Sequence, residues 1–218
     1  MEYTKPADIE RESMAIIARE LAARGIALPE ETAAVVRRAI HTTADFDYAE
    51  NLRFTAGAVG AGAAALRGGV IVTDTNMALA GVSRPALQAL GASAHCFMAE
   101  EEVVRRARER GVTRAAVSVD RAMELHPGAV FAVGNAPTAL LRLAEHIEGG
   151  ARPALVIGAP VGFVNVEESK ERVWEACGRC GVPAIVAFGR KGGSGVAAAI
   201  CNALLYTAAG LLDPSARE

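Results

Sequence analysis

Apolar positions between residues 8 and 24 recur at helical spacing. Ile9, Ile16, Ile17 and Leu21 share one face, and Ser13 stands in the middle of that stripe. The spacing predicts a helix over 8–24, with Asp8 as its N-cap and Gly25 as its stop. A hydroxyl on an apolar stripe needs a partner: Ser13 either bonds back to its own helix or looks into a cavity. A second helix is predicted from Pro29-Glu30-Glu31, where proline and acids suit the positive end of the helix dipole. Ala33, Val36 and Ile40 are its buried stripe, and His41 is expected to end it. A third helix, rich in Ala and Gly, is expected from about Asn51 to Leu66.

From Gly69 the rhythm changes. Short β-rich runs, VIVT at 70–73, SAHCF at 93–97, AVFAV at 129–133, ALVIG at 154–158 and PAIVAF at 183–188, alternate with helical stretches. Those stretches fall near 99–110, 114–124, 136–148, 167–178 and 194–209. The strands are nearly continuously apolar, as when both faces of a parallel sheet are covered. The pattern predicts an α/β fold, a doubly wound and mainly parallel sheet of about five strands flanked by helices. One domain over residues 1–218 is expected, with a helical N-terminal segment (1–68) packed on the sheet core (69–212). A chain of 218 residues can bury one substantial core, whereas two full domains would be cramped.

A hydrophobic fraction of 51% and a charged fraction of 22% are those of a soluble globular protein. The net charge of −2 offers no cation excess for nucleic acid or an acidic membrane, so any anion site must be local. No apolar run approaches the roughly 20 residues that span a bilayer. The acidic, polar start MEYTKPADIERES has no secretion-signal pattern, and four cysteines are expected to be reduced thiols in a cytoplasm.

Ligands of open parallel sheets bind beyond the carboxyl ends of the strands. Four of the five predicted strands are followed there by polar or glycine-rich segments: DTNMALAG (74–81), GNAPTA (134–139), GAPVGFVNVEESK (158–170) and GRKGGSG (189–195). The last leads into a helix, so its free N–H groups and Ser194 could hold an anion. It is not a Walker A loop, because its lysine precedes the glycines; GAVGAG (57–62) lacks the preceding strand of a dinucleotide fingerprint. Cys177-Gly-Arg-Cys180 lies at a helix end, where the dipole does not activate a thiolate, and makes no zinc site alone. His95 and His146 read as structural, His126 as a loop residue before a proline, and the arginines of 105–110 as a solvated helix face.

The stretch RRAIHTTADFDYAENLRF (37–54) is different. It gathers an imidazole, two threonines, acids and an aromatic at a helix exit. Its segment AIHTTADFDY (39–48), together with IERESMAII (9–17), DTNMALAG (74–81), TRAAVSV (113–119), VGNAPTAL (133–140), GAPVGFVNVEESK (158–170) and GRKGGSGVAAAICNAL (189–204), resembles the precorrin-8X methylmutase family over nearly the whole chain. That resemblance implies an isomerase of corrin (vitamin B12) biosynthesis. Such an enzyme moves a methyl group from C-11 to C-12 of precorrin-8X or cobalt-precorrin-8, giving hydrogenobyrinate or cobyrinate. It further implies a homodimer that needs no separate cofactor and no metal ligand from the protein. By the same resemblance the family's histidine maps onto His41, a substrate-contacting serine onto Ser13 and a ligand-side arginine onto Arg114.

The chemistry agrees with one acid–base group. A methyl shift around a conjugated ring redistributes π-electrons and needs a proton at a basic ring position, for which imidazole suits neutral pH. The helix C-terminus favours a charged His41, whereas Arg37 and Arg38 oppose it. By location, Thr42, Thr43, Tyr48, Thr75, Asn76, Arg121, Lys191 and Ser194 join Ser13 and Arg114 as candidates to hold a polyacidic tetrapyrrole. Two other readings stand beside the isomerase: a non-catalytic corrinoid carrier, and an unrelated α/β enzyme using GRKGGSG for phosphate.

Overall fold

The apolar runs become the centre of a six-stranded sheet in the computed structural model, which describes residues 5–217. The strands are β1 (Leu52–Phe54), β2 (Val70–Thr73), β3 (Ser93–His95), β4 (Val130–Val133), β5 (Leu155–Gly158) and β6 (Ala184–Ala187), in the order β1-β6-β5-β4-β2-β3. β2 to β6 are parallel; β1 is an antiparallel edge strand on β6, with Leu52 opposite Ala187 and Phe54 opposite Ile185.

Alternate residues of the central strands feed two separate cores. Val130, Ala132, Leu155, Ile157, Ile185 and Ala187 point into one. Phe131, Val133, Val156, Ala184 and Val186 point into the other. Burial on both faces is why these runs show no polar alternation. The first core is covered by α1 (Pro6–Ala23), α2 (Glu30–Thr43), α4 (Ala58–Ala65), α6 (Arg84–Leu90) and α11 (Ser194–Ala209). The second is covered by α7 (Glu101–Arg110), α8 (Arg114–Leu125), α9 (Pro137–Glu148) and α10 (Val166–Cys180). Two short helices, α3 (Tyr48–Asn51) and α5 (Asn76–Gly81), complete the connections.

Four local expectations need correction. α1 starts at Pro6 with Lys5 in the N-cap position, so Asp8 lies inside its first turn. α2 runs past His41 to Thr43, because the Thr42 and Thr43 hydroxyls donate back to the carbonyls of Arg38 and Ala39 rather than opening the helix. It stops at Ala44, which adopts φ 54° in the left-handed region. The expected helix over 51–66 is split into β1, a turn and α4, since Leu-Arg-Phe alternates and finds an unpaired strand in β6. Residues 76–81 and 84–90, where the pattern predicts no element, are helical, with the hydroxyls of Thr75 and Ser83 capping them.

The chain steps from β2 outward to β3, then back past β2 to β4. The order therefore reverses between β2 and β4. The helices after β2 lie on one face and those after β3 on the other, which opens a crevice at the carboxyl ends of this pair.

Candidate active site at the carboxyl edge of the sheet

The crevice is spanned by a buried carboxylate. Asp74, directly after β2, accepts the N–H of Gly134 on Oδ1 and those of Asn135 and Ala136 on Oδ2, all at 2.8 Å. Burial raises its pKa, and these three hydrogen bonds pull against that rise. The carboxylate thus locks the turn after β4 to the end of β2. Over this turn lies the start of α11. A methyl group on Gly134 would stand 2.7 Å from Ser194 Cα and 2.9 Å from the Gly193 carbonyl oxygen, so only glycine admits the contact. Ser194 Oγ is 2.8 Å from Thr75 Oγ1, and Thr75 also accepts the N–H of Ala78. Loops following β2, β4 and β6 therefore meet at one point.

The histidine helix reaches the same edge. Thr42 Cγ2 would lie 3.8 Å from a methyl group placed on Gly195, the residue after Ser194. Lys191 Nζ donates to Asp45 at 2.6 Å and to Asp47 at 2.5 Å, tying the turn after β6 to the chain leaving α2. Lys191 holds the Asp45 carboxyl below its usual range. Thr43 Oγ1 receives the N–H of Asp45, which shapes this exit. Tyr48 is buried behind it, and burial, followed by the Asp45 charge, pushes its phenol up to about 12.

His41 itself is exposed on the last turn of α2. Desolvation, followed by the nearby Arg38 cation, depresses its pKa below the ordinary imidazole value; Arg217 adds to this and Glu10 opposes it. Glu10 joins these cations in one cluster, 2.6 Å from Arg38 and 2.7 Å from Arg217, and both guanidiniums lie over the Tyr206 ring. Anionic charge arriving beside the ligand-free imidazole would raise its basicity.

Ser13, one turn after Glu10, donates to the carbonyl of Ile9 at 2.8 Å, the first of its two expected alternatives. Asn76 opens α5 beside Thr75 and is exposed. Arg114 opens α8, whose cap Thr113 donates to Thr138 in the first turn of α9; that places Arg114 at the same edge but over the opposite face of the sheet from His41. It lines a cleft of about 450 Å³ with Val104, Arg108 and Val112. Arg121, two turns further along α8, is ion-paired to Glu100 and Glu124 instead of facing the edge. Apolar surface also gathers here: Met77 on α5, and Phe163 and Val164 after β5, are 74%, 83% and 76% exposed.

Asp74 and the fully buried Lys170 were missed as site-building residues. For Lys170 a signal existed, since Val166, Ser169, Lys170 and Val173 fall on one buried helix face. Asp74 carried only its position after a strand. Among the described residues no cluster of three His, Cys, Asp or Glu side chains could hold a metal ion, and no helix is long and apolar enough to cross a membrane. Cys177 is buried and Cys180 partly so, at the end of α10.

Residues 8–207 match the family model described as precorrin-8X methylmutase. The cobalt-precorrin-8 methylmutase of Salmonella typhimurium is 46% identical over 175 residues, which is 79% of this chain and 80% of that protein. The precorrin-8X methylmutase of Pseudomonas aeruginosa is 43% identical over 198 residues, covering 90% and 93%. The crystal structure of the precorrin-8X methylmutase from Thermus thermophilus superposes with a TM-score of 0.85 at 45% identity, covering 93% of this chain and 96% of that one.

Proposed function

The chain belongs to the precorrin-8X methylmutase family, and from that premise we propose that it isomerises a corrin precursor at this edge, with His41 as the proton donor. The reaction is the migration of a methyl group from C-11 to C-12 of precorrin-8X or cobalt-precorrin-8, giving hydrogenobyrinate or cobyrinate. Any cobalt belongs to the substrate. The observation that carries the assignment is the position of His41: an exposed imidazole on the last turn of α2, whose next residue abuts the Thr75–Ser194 junction through Gly195.

Substrate and product have the same composition, so the proton that His41 gives to the ring must be matched by one the ring returns. An imidazole whose pKa lies below its ordinary value gives up its proton readily. The carboxylate arms of the bound tetrapyrrole supply the negative charge that protonates it first. General acid catalysis of this kind contributes about 10²–10⁴ in rate; holding the ring in a reactive conformation contributes the rest. The flat ring lies against the apolar surface of Met77, Phe163 and Val164. Ser13, Thr42, Thr43, Tyr48, Thr75, Asn76, Lys191, Ser194 and Arg114 hold its polar arms or shape the site. Arg121, held by Glu100 and Glu124, is given no direct contact. The whole chain acts as one unit, paired with a second copy as the family resemblance implies, and works in the cytoplasm, the compartment that reduced cysteines suit.

The test is turnover. Supplied with cobalt-precorrin-8 or precorrin-8X, the protein changes the visible spectrum of the chromophore, whereas His41→Ala binds the pigment and leaves its spectrum unconverted. A His41→Ala variant with full activity rejects the role of the imidazole. A wild-type protein that binds pigment without converting it would be a carrier.

A further inference from the structure

Lys170, on α10, is among the largest fully buried side chains, with 0% of its surface exposed. Its Nζ donates to the carbonyl oxygens of Gly189 at 2.7 Å and Lys191 at 2.8 Å. Both acceptors are neutral. Glu167, one turn earlier, bears on the ammonium but is itself paired with Arg190. Burial pushes Lys170 down to about 8, so the group is still charged at neutral pH. A buried cation without a carboxylate beside it is a poor source of stability, since desolvation costs several kcal/mol, on the order of what the hydrogen bonds return. Its presence asks for a reason other than stability.

The reason lies in the turn it grips. The carbonyl of Arg190, between the two that Lys170 holds, accepts the N–H of Gly162. The carbonyls of Gly189 and Lys191 are thus directed at the buried ammonium, and that of Arg190 at the loop after β5. Because each peptide is planar and trans, the N–H groups of Arg190 and Gly192 face the opposite way, away from the buried ammonium. The same turn continues through Gly193, whose N–H bonds to Ala159 at 2.8 Å, into Ser194, and it carries the Lys191 side chain to Asp45 and Asp47. One buried side chain therefore sets the direction of several donors and the clamp on the exit of the His41 helix.

We propose that Lys170 is a positioning residue for the methyl shift: from inside the protein it holds the turn after β6 in the shape that presents its N–H groups and Ser194 to a carboxylate arm of the substrate. The idea rests on the site assignment above. Lys170 touches no reacting atom, and it acts through the backbone of residues 189–191.

The experiment compares wild type with Lys170→Met, which keeps the length and removes every donor. Two readings are taken: steady-state constants with cobalt-precorrin-8, and amide exchange of Gly162 and Gly193 without any pigment. The expected result is a melting temperature close to wild type, exchange of both amides at least tenfold faster, and KM at least tenfold higher with kcat changed less than threefold. A Lys170→Met protein with wild-type KM, or with unchanged exchange at both glycines, overturns the proposal. Should Lys170→Met fail to fold, the same pair of readings on Lys170→Arg decides. Exchange and KM rising together support the proposal, and any other pairing overturns it. If the wild-type protein does not convert cobalt-precorrin-8, the functional reading fails, while the exchange data still report whether Lys170 holds the turn.

Discussion

Thr75 Oγ1 and Ser194 Oγ lie 2.8 Å apart although 119 residues separate them, and this contact joins the end of β2 to the start of α11. Thr75 also accepts the N–H of Ala78. If Thr75 donates its proton to Ser194, the Ser194 hydroxyl keeps its own for a ligand. The two residues then act as a unit. Ser194→Ala and Thr75→Ala each weaken pigment binding by about 1 kcal/mol, roughly fivefold. The double variant loses less than the sum, with a coupling of about 0.5–1.5 kcal/mol in a cycle of binding constants. Strict additivity would mean that the hydroxyl pair has no shared role.

Asp74→Asn leaves three N–H donors facing one carbonyl oxygen and an amide that cannot accept. Breaking this arrangement costs about 2–3 kcal/mol of stability, seen as a loss of roughly 4–12 °C in melting temperature for a chain of this size. Gly134→Ala attacks the same junction from the other side, because its new methyl meets backbone at 2.7 Å and 2.9 Å and not a side chain that could swing away. It should lower activity even where the protein still folds. A Gly134→Ala enzyme with wild-type constants would show that the contact has slack.

The pH dependence of His41 has a definite sign. Its pKa is depressed in the free protein, and the protonated form is the proposed donor. The kcat/KM profile, which reports free enzyme, should therefore fall as pH rises through a value below that of an ordinary imidazole. The kcat profile, which reports the complex, should fall at higher pH. Arg38→Gln removes a cation from beside His41 and leaves Glu10 with Arg217 as its only paired cation, and both changes raise the His41 pKa. Nuclear magnetic resonance titration of the ring protons reads this directly; an unchanged value in Arg38→Gln would contradict the electrostatic account.

Part of the acid stability resides on the opposite face. Asp120, buried between α7, α8 and α9, lies 2.6 Å from both Arg110 and Arg142 and 2.7 Å from His146. Burial would raise its carboxyl, but Arg142, Arg110 and His146 outweigh burial and bring it to about 2. A depressed carboxyl contributes stability that is present above its unfolded value near 4 and lost as pH falls toward 2. The contribution is about 2–3 kcal/mol. In urea melts, Asp120→Asn should lose about that much at pH 7 and little or nothing at pH 2. An equal loss at both pH values would assign the effect to packing.

The chain's hydrophobic pattern settles the class of fold and the places where chemistry gathers. Strands apolar on every residue can be buried only between two helical layers, and glycine-rich, polar segments after four of them had to lie at one edge. His41 and its companions stand out in the sequence through their resemblance to one family, since a histidine near a helix end is by itself equally well a surface residue. Short or conditional features do not stand out. Leu52–Phe54 is too brief for its alternation to outweigh a helical neighbourhood, and becomes a strand only because β6 offers an unpaired edge. Thr42 and Thr43 extend α2 past His41, where the pattern predicts its end, a choice made by two back-bonds. The site's framework belongs to tertiary structure alone. Asp74 reaches its donors across 60 residues, Lys191 reaches Asp47 across 144, and Lys170 grips carbonyls 19 and 21 residues ahead. Periodicity records which side of an element is buried; which buried polar group meets which backbone is fixed only when the strand order brings them together.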